Sequence, residues 1–395
     1  MTKPLEGLRI IDLTRVLAGP FCTMLLADMG ADVIKIENPS GGDDSRAFGP
    51  YKQGLSAYFM GLNRSKRSVT LNLKDERAKD MFRSLVREAD VVVENFKPGT
   101  MERLGLGYTA LREINPKIIY AAASGFGQSG PYSPRAAYDL IIQGMSGFMS
   151  ITGFDKEHPV KSGSSIADIF AGVFTAIGIL AALEHRRKTN EGQMVDVAML
   201  DCMIAILENA LSSYDCTGKS PEPIGNVHRS ISPFASFKTK DGQVNVCAGN
   251  NELWRRFCEV TGMEEYVNDP RFADNKLRVA NFRELEAIIN EHMEKRPTAE
   301  WTAALDAVRV PCGPIMDMEQ VVADPHVMAR NMIVELTHPV AGRLLVPGVP
   351  IKFSGTPAAI KCAAPELGEH NKEVYGELLG LSAAEVDELQ KNGTI

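Results

Sequence analysis

Short apolar stretches alternate with amphipathic stretches along the first half of the chain. Nearly all-apolar segments, rich in β-branched residues, predict strands at 8–13, 32–36, 68–73, 90–94 and 117–122. Apolar residues at helical spacing predict helices at 21–29, 76–88 and 101–115. This alternation predicts an α/β domain in which helices cover both faces of a parallel sheet.

The first strand, loop, helix and second strand together have the outline of a Rossmann-like dinucleotide-binding unit. Glu37 follows the second strand, where such units place an acidic residue. The loop at 14–20 reads TRVLAGP, however, and lacks the GxGxxG spacing that lets a backbone approach a pyrophosphate. A nicotinamide-dependent enzyme is therefore disfavoured, although the sequence leaves it open.

The pattern changes after about residue 200. A helix expected at 168–187, a strand at 193–198 and a helix to about Tyr214 precede the Pro-, Gly- and Ser-rich stretch SPEPIGNVHRSISPF. A hairpin turning at Lys240-Asp241-Gly242 and helices at 252–261, 281–294 and 298–308 then predict a smaller α+β domain. We expect a large domain at 1–200, a linker at 201–224, a small domain at 225–325, and a largely extended tail at 326–395 that completes the large domain and ends in a helix at 383–391.

Composition narrows the class of protein. The net charge of −7 over 395 residues lacks the basic footprint of a nucleic-acid binder. Seven scattered cysteines, none in a CxxC pair, are typical of reduced thiols. The first residues, MTKPLEGLRIIDL, lack the long apolar core of a signal peptide. These features predict a cytoplasmic protein.

The apolar run at 166–183 is long enough to cross a membrane. It carries Asp168 and is rich in Ala and Gly, which favours a helix buried inside the α/β domain. We therefore expect no membrane association.

Asp168 is the charged residue inside that run. The residues SGSS precede it, so we expect it near a helix N-terminus, where free amides and the helix dipole favour the ionised carboxylate. A carboxylate of ordinary basicity is fully ionised at neutral pH and can attack an activated carbonyl such as a thioester. Position alone favours a simple helix-start aspartate without chemistry.

Many long motifs occur in the order typical of one enzyme family. They include PLEGLRIIDLTRVLAGPFCTMLLADMGADVIKIE, ADVVVENFKPGTMERLGLGY, NPKIIYAAASGFGQSGP, AYDLIIQGMSG, the Asp168 region and LGEHNKEV. The chain thereby resembles the family III (CaiB/BaiF) CoA-transferases over nearly its full length. The resemblance implies a Rossmann-like large domain with a smaller domain, and an interlocked, ring-like homodimer. It also implies that Asp168 is the covalent nucleophile.

The resemblance assigns a binding site for coenzyme A or acyl-CoA, which would be a substrate. It implies a nucleotide and pantetheine cleft formed by Asn95, Phe96, Lys97 and Arg103, with Asn38 nearby. It implies an adenine-flanking stretch at Leu71, Asn72, Leu73 and Lys74. It places Val16, Leu17 and Ala18 at the thioester and Ala136, Ala137, Tyr138 and Asp139 near the reacting carbonyl. The basic residues Lys66, Arg67, Lys74, Lys97 and Arg103 could hold its phosphates.

No metal site is expected, because the seven histidines show neither HxH nor HxxxH spacing. His228, in the linker beside Arg229, could meet an acceptor carboxylate, although a solvated histidine is the simpler interpretation. The residues around VCAGNNELW favour the acetyl-CoA:oxalate branch of the family, and formyl-CoA:oxalate specificity is an alternative.

Two further alternatives stay open. An α-methylacyl-CoA racemase would exchange a proton with two bases, but Tyr138 stands where that enzyme has a histidine, and tyrosine is a poor base at neutral pH. A CoA-binding protein without activity is also conceivable, although the presence of Asp168 speaks against it.

Overall fold

The computed structural model describes residues 2–395, which form two compact units. The first unit comprises residues 2–148, Lys161–Ser212 and Pro325–Ile395, and the second comprises Met149–Val160 and Ser213–Asp324. The stretch predicted as a linker from 201 is helical at its start, because Cys202 and Met203 are buried in an apolar cluster of the first unit.

A six-stranded parallel sheet forms the centre of the first unit, as the alternating pattern predicted. In chain order the strands are 3-2-1-4-5-6 across the sheet, which is the order of a doubly wound dinucleotide-binding fold. From one edge to the other they are Arg67–Thr70, Asp32–Glu37, Arg9–Asp12, Val91–Glu94, Ile119–Ser124 and Met194–Ala198.

Successive residues of the central strands enter different cores, because side chains alternate between the faces of a sheet. Ile10 and Val91 belong to one buried cluster, together with residues of the first helix, Ala18–Asp28. Ile11 and Val92 belong to the cluster on the opposite face. Burial on both faces explains why these strands read as continuous apolar runs.

The helices of the first unit differ from prediction where glycine intervenes. The segment 101–115 forms two helices instead of one, because Gly105 adopts a left-handed conformation (φ 70°) between them. The helices of this unit are Ala18–Asp28, Ala57–Leu62, Glu76–Arg87, Thr100–Arg103, Tyr108–Ile114, Asp139–Met145, Ile166–Thr189, Met199–Ala205, Pro325–Ala329, Asn371–Leu379 and Ala383–Lys391, with a 3-10 turn at Asp44–Ala47. The helix Asn209–Thr217 spans the boundary between the units.

The helix Ile166–Thr189, called the long helix below, is the one that meets the length and hydropathy of a membrane span among residues 2–395. It packs against the first helix and the strand Ile119–Ser124. Ala176, Ile179 and Ala182 lie in the core beneath the sheet, whereas Ile177 is exposed. The helix therefore contributes one side to the core of the first unit.

The tail, expected to be extended, carries more structure than predicted. It forms a hairpin of Ile333–His338 and Gly342–Pro347, and the helix Asn371–Leu379, which the sequence analysis missed. The Asn371 side chain accepts a hydrogen bond from the Thr70 amide at 2.8 Å, and Tyr375 donates to the Thr70 carbonyl at 2.6 Å. The tail thus covers the edge strand of the sheet. A short hairpin of Tyr51–Lys52 and Leu55–Ser56 completes the first unit.

The second unit contains a three-stranded antiparallel sheet and its own core. Trp254, Phe257 and Trp301 are buried against the sheet. The strands are Cys312–Pro314, Gln243–Cys247 and Phe234–Lys238, and the helices are Asn251–Thr261, Asn275–Ala280, Phe282–Met293, Thr298–Ala307 and Met318–Ala323, with 3-10 turns at Met149–Ile151 and Glu264–Tyr266.

Candidate active site

A cavity of about 190 Å³ opens at the carboxyl ends of the central strands of the first unit. The strand order reverses there, between Arg9–Asp12 and Val91–Glu94, and open α/β sheets bind ligands at such switch points. Its walls are the segments that follow five strands of the sheet, together with the start of the long helix. The lining residues are Arg15, Val16, Leu17, Ala18, Asp44, Asn95, Phe96, Lys97, Pro98, Ala123, Ser124, Gly125, Arg135, Ala136, Ala137, Tyr138, Asp168 and Met199.

Asp168 lies in the first turn of the long helix and reaches this cavity. Its carboxylate has no hydrogen-bond or ion-pair partner among residues 2–395. Burial, reinforced by the nearby charge of Asp139, raises the pKa of Asp168 to about 7. The expectation of a fully ionised carboxylate at neutral pH is therefore wrong, because desolvation outweighs the helix N-terminus. A half-protonated, unpaired carboxylate in a cleft is a common mark of a functional site.

Asp139 is buried behind Asp168 and is fully engaged. Its Oδ1 accepts a hydrogen bond from the Ala167 amide at 2.9 Å, and its Oδ2 accepts one from the Gln143 side chain at 2.6 Å. It does not line the cavity. Asp139 therefore ties the start of its own helix to the start of the long helix, instead of contacting a ligand directly.

The first helix and the long helix approach each other closely beside Asp168. A Cβ on Gly172 would lie 2.6 Å from the Ala18 carbonyl oxygen, so glycine is required for this approach. The first helical hydrogen bond runs from the Phe21 amide to the Leu17 carbonyl, and no group among residues 2–395 accepts from the amides of Leu17 or Ala18. These free amides are hydrogen-bond donors on the wall that also holds Asp168.

The loop before the first helix is not a phosphate loop. Its amides at Thr14, Arg15 and Val16 donate to the side chains of Asp12, Asn95 and Asp43, at 2.8 to 3.0 Å. Two of these acceptors are carboxylates, which would repel a pyrophosphate. The dinucleotide-like outline is thus present in the fold, while the loop's donors are already occupied by the chain itself.

The structure brings most of the predicted ligand residues together and leaves others elsewhere. Ten residues of the predicted set line the cavity: Val16, Leu17, Ala18, Asn95, Phe96, Lys97, Ala136, Ala137, Tyr138 and Asp168. Asn38, Leu71, Asn72, Leu73, Lys74, Arg103 and Asp139 lie outside it.

The predicted adenine-flanking stretch is only partly open to a ligand. The Leu71 side chain is in the core, since only 2% of its surface is exposed, and Leu73 packs against that core. Asn72 is tied to the C-terminal end through its amide, which donates to the Thr394 carbonyl at 2.9 Å. Lys74 and Arg103 are exposed. Of the five basic residues predicted to hold phosphates, these two are exposed outside the cavity.

Two of the basic residues expected to face phosphates are used inside the protein. Lys66 is buried and donates to Asp12 at 3.0 Å and to Asn63 at 2.8 Å. Arg67 pairs with Asp32 at 2.6 Å and with two glutamates of the tail. Their charges are satisfied by the fold, so the prediction that they hold coenzyme A is wrong.

Arginine 135 is the main lining residue that sequence reasoning missed. Its guanidinium lies 4.7 Å from the ring centroid of Tyr132 and 5.3 Å from that of Phe126, and no carboxylate among residues 2–395 pairs with it. Its position directly before Ala136 was the available signal. Arg15 was also missed; it pairs with Asp44 at 3.0 Å.

Among residues 2–395 no three His, Cys, Asp or Glu side chains are grouped as metal ligands would be. No histidine lines the cavity, and His228 lies in the second unit. The chemistry available from this chain in the cavity includes one free carboxylate, three cationic side chains and backbone amides, besides the hydroxyl groups of Ser124 and Tyr138.

Comparisons with known proteins identify the family. The model of CoA-transferase family III matches residues 5–371. A succinate–glutarate CoA-transferase of Agrobacterium fabrum is 45% identical, over 95% of this chain and 96% of its own, and an acetyl-CoA:oxalate CoA-transferase of Acetobacter aceti is 44% identical, over 89% and 90%. The crystal structure of a CAIB/BAIF family protein from Brucella suis superposes with a TM-score of 0.87, at 40% identity, over 96% of this chain and 100% of that one. The chain belongs to CoA-transferase family III and is a transferase that moves coenzyme A between acyl-CoA and carboxylic acids.

Proposed function

We propose that the protein transfers coenzyme A from a short-chain acyl-CoA to a small dicarboxylic acid, with Asp168 as the nucleophile. The observation that carries the proposal is the unpaired carboxylate of Asp168 in the cavity at the switch point of the sheet. The other carboxylate of the lining, Asp44, is paired with Arg15. Asp168 is thus the free nucleophile that this chain offers to a bound thioester.

The reaction proceeds in four attacks without net proton transfer. The Asp168 carboxylate attacks the donor thioester, the C–S bond breaks, and an aspartyl anhydride forms with release of CoA thiolate. The thiolate attacks the aspartyl carbonyl, which frees the donor acid and leaves an aspartyl-CoA thioester. The acceptor carboxylate attacks this thioester and again releases thiolate. Attack of thiolate on the acceptor's acyl carbon gives the new acyl-CoA and free Asp168.

Backbone amides stabilise the oxyanions that form in each attack. The free donors of Leu17 and Ala18 at the start of the first helix line the same cavity as Asp168. Removal of one such preorganised donor lowers turnover about 10²- to 10³-fold. The raised pKa of Asp168 also makes its carboxylate a stronger nucleophile than an ordinary aspartate.

The cations of the cavity support dicarboxylates as substrates. Arg15, Lys97 and Arg135 line it against the two carboxylates Asp44 and Asp168. The relatives are named for glutarate, oxalate, mesaconate and citramalate, each with two carboxyl groups. One carboxylate of such an acid stays free after esterification, and an unpaired guanidinium such as Arg135 can bind it. Oxalate as acceptor and acetyl-CoA as donor belong to this proposal.

We also propose a homodimer, on the basis of exposed apolar side chains. Three neighbouring helices of the first unit expose Leu140, Ile141, Met145, Ile177 and Ile204, each by more than a third of its surface. Several exposed apolar side chains on neighbouring helices are typical of a protein–protein interface. Light scattering after gel filtration measures the mass; a monomer at micromolar concentration would contradict the proposal.

One chromatographic assay tests the proposed function. The protein is incubated with succinyl-CoA or acetyl-CoA and a panel of acids (glutarate, oxalate, mesaconate, citramalate, and butyrate as a monocarboxylate), and the CoA esters are identified by mass. A dicarboxyl-CoA product that disappears with Asp168→Ala supports the proposal. Turnover retained by Asp168→Ala contradicts the role of the nucleophile. Intact-protein mass after mixing with donor alone should show one CoA attached, and peptide mapping should place it on the peptide that contains residue 168.

Proton exchange at the α-carbon of a branched acyl-CoA is the outcome that would favour a racemase. That chemistry needs two bases, one on each side of the carbon. No histidine lines the cavity, and Asp139 is fully hydrogen-bonded. The arrangement of this chain therefore favours transfer.

A further inference from the structure

A buried ion pair supports the loop that precedes the first helix. Lys35 and Asp43 both have essentially unexposed side chains, and Lys35 Nζ lies 2.9 Å from Asp43 Oδ2. Although burial opposes both charges, the pair and its neighbours raise the pKa of Lys35 and lower that of Asp43. Both groups therefore remain charged in the interior throughout the neutral pH range. A buried ion pair contributes little net stability, so its retention at this place needs another explanation.

Each partner of the pair contacts the loop backbone. Lys35 Nζ donates to the Thr14 carbonyl at 2.7 Å, and the Asp43 carboxylate accepts from the Val16 amide at 3.0 Å. The Asn95 side chain binds the residue between them, accepting from the Arg15 amide and donating to its carbonyl. Three consecutive residues of the loop are thus fixed by side chains distant in sequence.

The loop needs this support because Val16 is strained. Its φ is 66°, a left-handed conformation that is unfavourable for a β-branched residue. Such strain persists only where the surroundings over-determine it, and it is concentrated at functional sites. The turn at Val16 directly precedes the free amides of Leu17 and Ala18.

We propose that Lys35 and Asp43 are positioning residues, which hold Val16 left-handed and so direct the amides of Leu17 and Ala18 at the reacting carbonyl. The proposal rests on the proposed function. It adds that the buried pair of Lys35 and Asp43, which contacts no substrate, sets the geometry of these amide donors. The pair fixes the loop through Val16 on one side and Thr14 on the other. Its loss should reduce turnover while leaving acyl-CoA affinity nearly unchanged.

The chain offers a matched control for this test. Asp28 and Arg64 form another buried pair, with an N–O distance of 2.8 Å and side chains 1% and 2% exposed. Asp28 ends the first helix, so this pair lies at the opposite end of the helix from the cavity. Asp43→Asn and Asp28→Asn each remove one buried negative charge with minimal change in shape.

Steady-state kinetics and thermal unfolding of these two variants test the proposal. We expect Asp43→Asn to lower kcat about 10- to 100-fold with KM for acyl-CoA within about threefold, because oxyanion donors act in the transition state. Asp28→Asn should lower the unfolding temperature similarly but keep kcat within about threefold of wild type. Equal loss of kcat in both variants, or full kcat in Asp43→Asn, would overturn the proposal.

Val16→Pro provides a test that keeps both residues of the buried pair in the chain. Proline fixes φ near −65° and removes the amide that Asp43 accepts from, at a partly exposed position. We expect a folded protein with kcat lowered at least about tenfold. If Asp43→Asn does not fold, full activity of Val16→Pro would still refute the need for the left-handed turn. A wild-type protein without any CoA-transferase activity would instead refute the proposed function.

Discussion

The carboxylate of Asp139 accepts a hydrogen bond of 2.9 Å from the amide of Ala167, the residue before Asp168. This contact caps the long helix with a residue from another helix, since the side chain of the N-cap residue Ser165 makes no capping bond. It also places a second negative charge behind Asp168. Asp139 therefore orients the proposed nucleophile and adds its charge to the effect of burial, which is the main reason that the pKa of Asp168 is raised.

The pH dependence of turnover should report Asp168. With a pKa of about 7, the reactive carboxylate form is lost as pH falls. We expect kcat/KM for the acyl-CoA donor to rise with unit slope below pH 7 and to level off above it. Asp139→Asn removes the repelling charge, so its profile should move to lower pH. A flat profile between pH 5 and 8 would contradict this assignment.

Asp168 should destabilise the folded protein at alkaline pH. Its folded pKa lies above the unfolded value of 3.8, so its contribution to stability is full below pH 4 and is lost as pH rises through about 7. We expect Asp168→Asn to raise the unfolding temperature by at least about 2 °C at pH 8. The gain should shrink toward pH 5. Asp215→Asn, at an exposed aspartate, is the control and should show no gain.

Arg135 should determine affinity for the second carboxylate of the acceptor. Charge-assisted hydrogen bonds contribute about 1.5–3 kcal/mol, so Arg135→Gln should raise KM for a dicarboxylate about 10- to 100-fold. KM for butyrate should change little, because that acid lacks the second carboxylate. Arg187→Gln, at the distant end of the long helix, is the matched control. Equal changes for both acids would assign Arg135 to coenzyme A instead.

Gly172→Ala should separate the two helices that enclose the cavity. The added Cβ would lie 2.6 Å from the Ala18 carbonyl oxygen, so the backbone must shift. We expect the free energy of unfolding to fall by about 1–3 kcal/mol and kcat to fall with it. Gly61→Ala, in a helix with no atom within 4 Å of its Cβ position, should be neutral in denaturant titrations and assays. Similar losses of stability and kcat in both variants would contradict a specific effect of the contact between Gly172 and Ala18.

The sequence predicted the sheet well because its strands are buried on both faces and read as apolar runs. The single helix predicted over 101–115 is wrong, because the left-handed residue Gly105 divides the segment into two helices. The apolar periodicity continues through this glycine and so does not reveal the break. The sequence analysis also missed Asn371–Leu379, whose polar residues contact the edge strand through hydrogen bonds to Thr70. The local pattern of apolar and polar residues carries no information about hydrogen bonds between residues far apart in the chain.

The sequence predicted only part of the candidate site. Motif resemblance pointed to Asp168 and the loop at Val16–Ala18, which line the cavity, but it also assigned Leu71 to coenzyme A. The charge argument added Lys66, and both residues are buried. The sequence does not distinguish an exposed lysine from a buried one, so it could not show that Lys66 is used inside the protein. Arg135 was missed although it directly precedes the predicted lining residues Ala136 and Ala137, because no motif assigned it a role.

The sequence by itself determined the α/β class and the family and pointed to Asp168 as the candidate nucleophile, because these depend on periodicity and on ordered motifs. Only the tertiary structure decided the ionisation of Asp168 and the conformation of Val16. The pKa of Asp168 depends first on its burial and then on the charge of Asp139, 29 positions away along the chain. The turn at Val16 depends on Asp43, 27 positions away. Electrostatic coupling falls with distance in space, and separation along the chain does not report that distance.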